Sequence, residues 1–122
     1  MKPLQLGDQR FVEIVTTVAH TAATAGNPGV HVVSTTSLIL FLEMAAHELL
    51  AQAFDAGESS VGTKVDIEHV AAVAAGAVVT AAARISGIDG RRIAFDVSAR
   101  AGDRLFHAHR GRLRPARGHG VP

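Results

Sequence analysis

Hydrophobic residues follow two different rhythms along this chain. Arg10-Phe-Val-Glu-Ile-Val-Thr-Thr-Val18 is rich in β-branched side chains and predicts a first strand. Residues 19–34 show no clear period. Their Gly26-Asn27-Pro28-Gly29 run is turn chemistry, so a loop able to act as a flap is expected there. From Ser37 to Phe54 Leu, Met and Ala dominate. The hydroxyls of Ser34, Thr35 and Thr36 stand where a helix takes its N-cap, and Gly57 follows the end, which predicts one helix of about 17 residues. Leu38, Leu40, Phe41, Leu42, Met44, Ala45, Ala46, Leu49 and Leu50 put apolar side chains on nearly every face of it, so it is expected to be buried.

After the helix the period drops to two. Val61, Thr63, Val65, Ile67 and His69 alternate with Lys64, Asp66 and Glu68. A second run spans Gly76 to about Gly87, and Ile88-Asp89-Gly90 reads as a hairpin turn. Ile93, Phe95, Val97 and Ala99 form the apolar side of a third run, and Ala101-Gly102-Asp103 turns the chain into a last strand from Arg104 to about Arg114. Successive hairpins make an antiparallel sheet, and the order strand, loop, long helix, four strands is an α+β arrangement. It resembles the hot-dog fold, in which a curved antiparallel sheet wraps one buried helix. One sheet covers one side of a helix, so a second subunit is expected to cover the rest or to extend the sheet. The expected boundaries are a single domain over residues 1–114 and a basic, disordered tail over 115–122.

Composition narrows the chemistry. The 122 residues suit one domain, and 48% hydrophobic residues exclude a disordered chain. No stretch approaches the roughly 20 apolar residues of a membrane helix, and Met1-Lys2-Pro3-Leu4-Gln5 lacks a secretory core, so a cytoplasmic protein with no membrane partner is the expectation. The absence of Cys removes disulfides, thiolate catalysis and Cys-ligated zinc. The net charge of +1 hides an asymmetry: residues 1–103 hold 7 basic and 11 acidic side chains, whereas 104–122 hold five Arg and no acid. One basic strand without aromatic platforms does not make a nucleic-acid binder, but it leaves room for a local anion such as phosphate.

Three residues could carry chemistry. Glu43 lies two turns into the apolar helix, where an ionised carboxylate is costly unless partnered. It is either a carboxylate at a subunit seam or a general base, a role that burial favours. His69 falls in register with Val61, Thr63, Val65 and Ile67 and is expected to point toward the helix, as a hydrogen-bonded core residue or as a catalyst. Thr35 is either an ordinary N-cap or a hydroxyl placed beside the free N–H groups and positive dipole end of the helix, which can hold an oxyanion. Eight positions separate Thr35 from Glu43, about 12 Å along a helix. They can meet only if two helices pack antiparallel across a two-fold axis, which predicts composite sites in a dimer.

At these residues the chain resembles the fluoroacetyl-CoA thioesterase-like group of hot-dog proteins, from about His31 to Arg112. The resemblance rests on Val33-Ser-Thr-Thr-Ser-Leu-Ile-Leu-Phe-Leu-Glu43-Met, Gly57-Glu-Ser-Ser-Val-Gly-Thr63, Val65-Asp-Ile-Glu-His69-Val-Ala-Ala, Gly76 and Asp89-Gly-Arg-Arg-Ile93. It maps the family's Thr, Glu and His onto Thr35, Glu43 and His69, and a Gly beside the acyl pocket onto Gly62. What it implies is hydrolysis of a short acyl-CoA, with Glu43 activating water or attacking the thioester. Thr35 and the helix N–H groups would hold the oxyanion or acyl group, and His69 would assist proton transfer. No cofactor is implied beyond the CoA of the substrate, and the partners implied are acyl-CoA and a second copy, as a homodimer or a dimer of dimers. Two departures stand out. The last strand reads Phe106-His-Ala-His-Arg110-Gly-Arg112, keeping only the final Arg of the family's Gly-x-Gly-x-His-x-Arg. The loop before the helix has Gly29, Val30 and His31 where the fluoroacetyl-specific enzyme covers its substrate with Phe, so a general short-chain substrate is expected.

The basic strand acquires a role in this light: Arg112, with Arg110 and Arg114 on the same face by alternation, could contact CoA phosphate. Other classes remain open. A non-catalytic acyl-CoA or small-ligand binding module keeps the fold without the chemistry. An enoyl-CoA hydratase or dehydratase usually needs an Asp–His pair that is not evident. His107 and His109 share one side of a strand but lack a third metal ligand, so no metal site is expected.

Overall fold

A strand is stable only when a neighbour accepts and donates its backbone hydrogen bonds. For residues 9–15 that neighbour lies more than 60 residues away. The computed structural model describes residues 2–60, 64–90, 92–102, 104–109 and 118–119. In chain order its elements are β1 (Gln9–Val15), α1 (Thr35–Ala51), β2 (Glu58–Ser59), β3 (Val78–Asp89), β4 (Arg92–Ala101), β5 (Arg104–His109) and β6 (Gly118–His119). Four of these form one antiparallel sheet in the order β1-β3-β4-β5. β2 and β6 pair separately, Glu58 with His119 and Ser59 with Gly118.

The β3–β4 hairpin falls where the sequence places it. Asp89 pairs with Arg92, and Gly90 takes φ +59°, the left-handed conformation that glycine enters without a steric penalty. Alternation then sorts the side chains. Val79, Ala81, Ala83 and Ile85 of β3 and Ile93, Phe95, Val97 and Ala99 of β4 are all buried against the helix. Their partners in the alternation, such as Thr80, Ala82, Asp96 and Ser98, are half-buried on the other side.

Helix α1 packs on β3, β1 and β4. Its buried residues are Leu38, Phe41, Leu42, Ala45, Ala46, Leu49 and Leu50, spaced by three and four as one stripe of a helix requires. Leu40 and Met44 are 50% and 39% exposed in the single chain. The four-stranded sheet reaches one side of the helix only, and these two lie on the side for which a second subunit is expected.

The strand expected over residues 61–69 is also corrected where it is described. Residues 64–68 belong to no strand, and His69 alone takes part in a bridge. Val65 is exposed, while Ile67 is half-buried and packs on the core. Alternation reports a chain that could be a strand, but among the described residues this segment forms no ladder. Among the described residues no helix is long and apolar enough to cross a membrane. Truncating the core stripe is expected to be costly: Leu42→Ala should destabilise the protein by about 2–5 kcal/mol, read from urea unfolding curves.

Candidate active site at the helix N-terminus

The first turn of α1 is set by a serine. Ser34 is extended, with φ −74° and ψ 156°, and its Oγ accepts the Ser37 N–H at 3.0 Å. Its carbonyl accepts the Leu38 N–H at 3.0 Å. Ser34 is therefore the N-cap, and Thr35, one of the candidates for that role, is instead the first helical residue. The helix accordingly runs over Thr35–Ala51, starting and ending slightly before the expected span.

Relieved of capping, the Thr35 hydroxyl forms a hydrogen bond with His69. Oγ1 and Nδ1 lie 2.9 Å apart, with the donor set by the imidazole tautomer. Thr35 is exposed and His69 half-buried, with its Nε2 turned inward. The pair lies in an open depression of about 390 Å³, lined also by Val32, Val70, Ala71 and Ala72. With Ser37 and Leu38 N–H groups engaged, the N–H groups of Thr35 and Thr36 remain as the helix-end donors without intrahelical acceptors. A hydroxyl, an imidazole, two such donors and a positive dipole end thus share one open hollow with the small apolar side chains beside them. This set can hold a carbonyl group and stabilise negative charge growing on its oxygen.

Backbone contacts hold the hollow open. Val33 N–H donates to Val73 O at 2.7 Å, and Val32 bridges Ala74, so the segment entering the helix is bound to the segment leaving His69. The loop expected as a flap is internally closed. Ala22 N–H donates to Val32 O, Ala23 N–H to Val30 O and Ser34 N–H to His20 O, while Thr21 bridges Val33. The buried Thr16 donates its hydroxyl to Ala77 O at 2.7 Å and accepts the Gly76 N–H, fixing the start of the loop beside β3.

Glu43 is elsewhere. It is half-buried on the outward stripe of α1 with Thr36, Leu40 and His47, rather than enclosed as the apolar sequence around it suggested. The helix rise keeps it about 12 Å from Thr35, so one chain joins Thr35 to His69 but not to Glu43. Glu48, also outward, faces Arg10 at 3.9 Å. Gly62 and Arg112 lie outside the described residues, as do Arg110 and Arg114. Among the described residues no three His, Asp or Glu side chains gather as metal ligands.

Sequence reasoning offered Ser34 as one of three caps and Val70, Ala71 and Ala72 only as part of a motif, and it missed that these three line the hollow with Val32. The Ser34-x-x-Ser37 spacing signalled the cap. Nothing local marked the lining, because residues 32 and 70–72 become neighbours only through the Val32–Ala74 bridge.

Residues 15–109, more than half of the chain, match the family model described as fluoroacetyl-CoA-specific thioesterase, FlK. The fluoroacetyl-CoA thioesterase of Streptantibioticus cattleyicolor is 34% identical over 71 residues, which cover 58% of this chain and 51% of that protein; the match spans about half the relative's length. Among solved structures, a mutant of the fluoroacetyl-CoA-specific thioesterase FlK superposes with a TM-score of 0.89 at 25% identity, covering 98% of this chain and 92% of that one. A thioesterase-superfamily protein of Thermus thermophilus superposes with a TM-score of 0.88 at 24% identity, covering 98% and 88%. The fold is the hot-dog fold.

The division of labour between the two hydroxyls is directly measurable. Ser34→Ala should cost about 0.5–2 kcal/mol of stability through loss of the cap. Thr35→Ala, at an exposed position, should stay within about 0.5 kcal/mol of wild type in the same denaturant titration.

Proposed function

Because the chain belongs to the fluoroacetyl-CoA-specific thioesterase family, we propose that it hydrolyses a short-chain acyl-CoA thioester to the free acid and CoA. The observation that carries this reading is the Thr35–His69 hydrogen bond at the first turn of α1, inside a hollow lined by Val32, Val70, Ala71 and Ala72. The acyl group lies against these side chains with its carbonyl oxygen toward the N–H groups of Thr35 and Thr36. As water or a carboxylate attacks the carbonyl carbon, the negative charge developing on oxygen meets the two donors and the positive helix end. Collapse of the tetrahedral species expels the CoA thiolate, and His69 assists the proton transfers.

The attacking group requires a second copy. Glu43 of one chain reaches Thr35 of another when two α1 helices pack antiparallel about a two-fold axis, and it then activates water or attacks the thioester itself. The exposed Leu40 and Met44 beside Glu43 support such a contact, since a homodimer would remove them from water. Between Val15 and Phe41 the sequence has no Phe, and Gly29, Val30 and His31 occupy the loop before the helix, which favours short acyl groups in general over the fluorinated one. Gly62 is assigned room for the acyl group and Arg112 contact with CoA phosphate.

Glu43→Gln should lower kcat on acetyl- to hexanoyl-CoA by about 10²–10⁴-fold, and Thr35→Ala and His69→Ala should each reduce kcat/KM. A wild type no faster than Glu43→Gln on every substrate would overturn the hydrolase in favour of a binding module. Mixing inactive Thr35→Ala and Glu43→Gln chains should restore about a quarter of the wild-type rate, because half of the random dimers carry one intact site. Mixtures that stay inactive would rule out composite sites. Arg112→Ala should raise KM for acyl-CoA, and an unchanged KM would remove Arg112 from the CoA contact.

A further inference from the structure

The short helical turn Val18–His20 between β1 and α1 is held by a capping box in which histidine takes the place usually filled by Glu or Gln. Thr17 is the N-cap, and three residues later His20 Nδ1 accepts the Thr17 backbone N–H at 3.0 Å. A backbone N–H is only ever a donor, so Nδ1 carries no proton and the neutral ring holds its proton on Nε2. The same ring meets Phe41 edge-on, with centroids 5.0 Å apart and an interplanar angle of 80°. Phe41 lies in the buried stripe of α1, two turns into the helix. The His20 carbonyl accepts the N–H of Ser34 at 2.9 Å. One residue thus touches its own loop through Nδ1, the helix body through its ring and the helix N-cap through its backbone.

Resting on the thioesterase reading above, we propose that His20 is a positioning residue for the Thr35–His69 pair. It touches neither of them. Its ring and carbonyl set the distance between Phe41 and Ser34 on one side and the Thr17–His20 turn on the other. Thr35 follows Ser34 directly, and its hydroxyl must meet His69 Nδ1 at 2.9 Å. If the Thr17–Nδ1 bond is lost, the turn loosens and the Ser34 N–H loses a fixed acceptor. The first turn of α1 then samples positions in which hydroxyl, imidazole and helix N–H groups no longer converge on one carbonyl. Misplacement of this kind acts on the transition state more than on ground-state binding.

The chemistry selects the variants. His20→Leu removes the acceptor but keeps apolar bulk against Phe41. His20→Gln restores an acceptor of the kind a capping box ordinarily uses. On the best acyl-CoA of the panel, His20→Leu should lower kcat about tenfold with KM within about twofold of wild type, and His20→Gln should keep most of the wild-type kcat. Imidazole ¹⁵N–¹H correlation spectra give a readout independent of turnover. They should show His20 as the Nε2–H tautomer, and the His69 ring resonances should move in His20→Leu but not in His20→Gln. An unchanged kcat and unmoved His69 resonances in His20→Leu would overturn the proposal. So would a His20→Gln protein as impaired as His20→Leu, since the acceptor would then not be what matters. A wild type inactive on every acyl-CoA would sink the hydrolase reading, while the His69 resonances would still decide whether His20 positions the pair.

Discussion

Helix α1 carries more apolar surface than one sheet can cover, and most of the architecture follows from that mismatch. The stripe from Leu38 to Leu50 is closed against β1, β3 and β4. Each fully buried Leu or Phe in it contributes about 1.5–3 kcal/mol relative to exposure, so this seam fixes how the helix rotates on the sheet. That rotation in turn leaves Thr36, Leu40, Glu43, Met44 and His47 facing outward. An outward carboxylate flanked by large exposed apolar groups is an unfinished surface in a single chain. The proposed antiparallel dimer would complete it and bring Glu43 to the other chain's Thr35.

The same seam determines where the helix begins. With Leu38 and Phe41 locked into the core, the residues before them have little freedom. Ser34 closes the first turn, Val33 is bound to Val73, and Val32 bridges Ala74. His69 is therefore brought to Thr35 by backbone pairing a few residues away from each rather than by their own bond alone. An exposed hydroxyl–imidazole contact lies at the bottom of the range of about 0.5–1.5 kcal/mol for a typical hydrogen bond, too little to organise two segments. The frame around it does the organising, and the bond reports that the frame is correct.

Much of this was legible in the residues. The alternation of Ile93, Phe95, Val97 and Ala99 gave the inner side of β4 correctly, and Ile88-Asp89-Gly90 gave the hairpin. Both are local signals: side chains two apart share one side of a strand, and a left-handed turn residue selects glycine. Thr35 and His69 were also legible as candidates, and their contact is in the structure. Leu40 and Met44 read as apolar, but hydrophobicity does not state which neighbour covers a side chain. The segment 64–68 is less legible, because alternation does not state whether a ladder forms. Ser34 and Thr35 compete for the same cap, and only the backbone angles at residue 34 decide between them.

The sequence by itself determined the helix, the four strands of the main sheet, the apolar side of β4, the hairpin turn and the short list of reactive groups, because each depends on residues within one or two turns of one another. The tertiary structure alone decided which stripe of α1 is buried, that Thr35 joins His69 while Glu43 faces away, and which small residues line the hollow between them. These depend on pairings between residues 9–15 and 78–84, and between 32–33 and 73–74. Long-range closure of this kind is specified by the summed packing of the whole core, so no local pattern announces it.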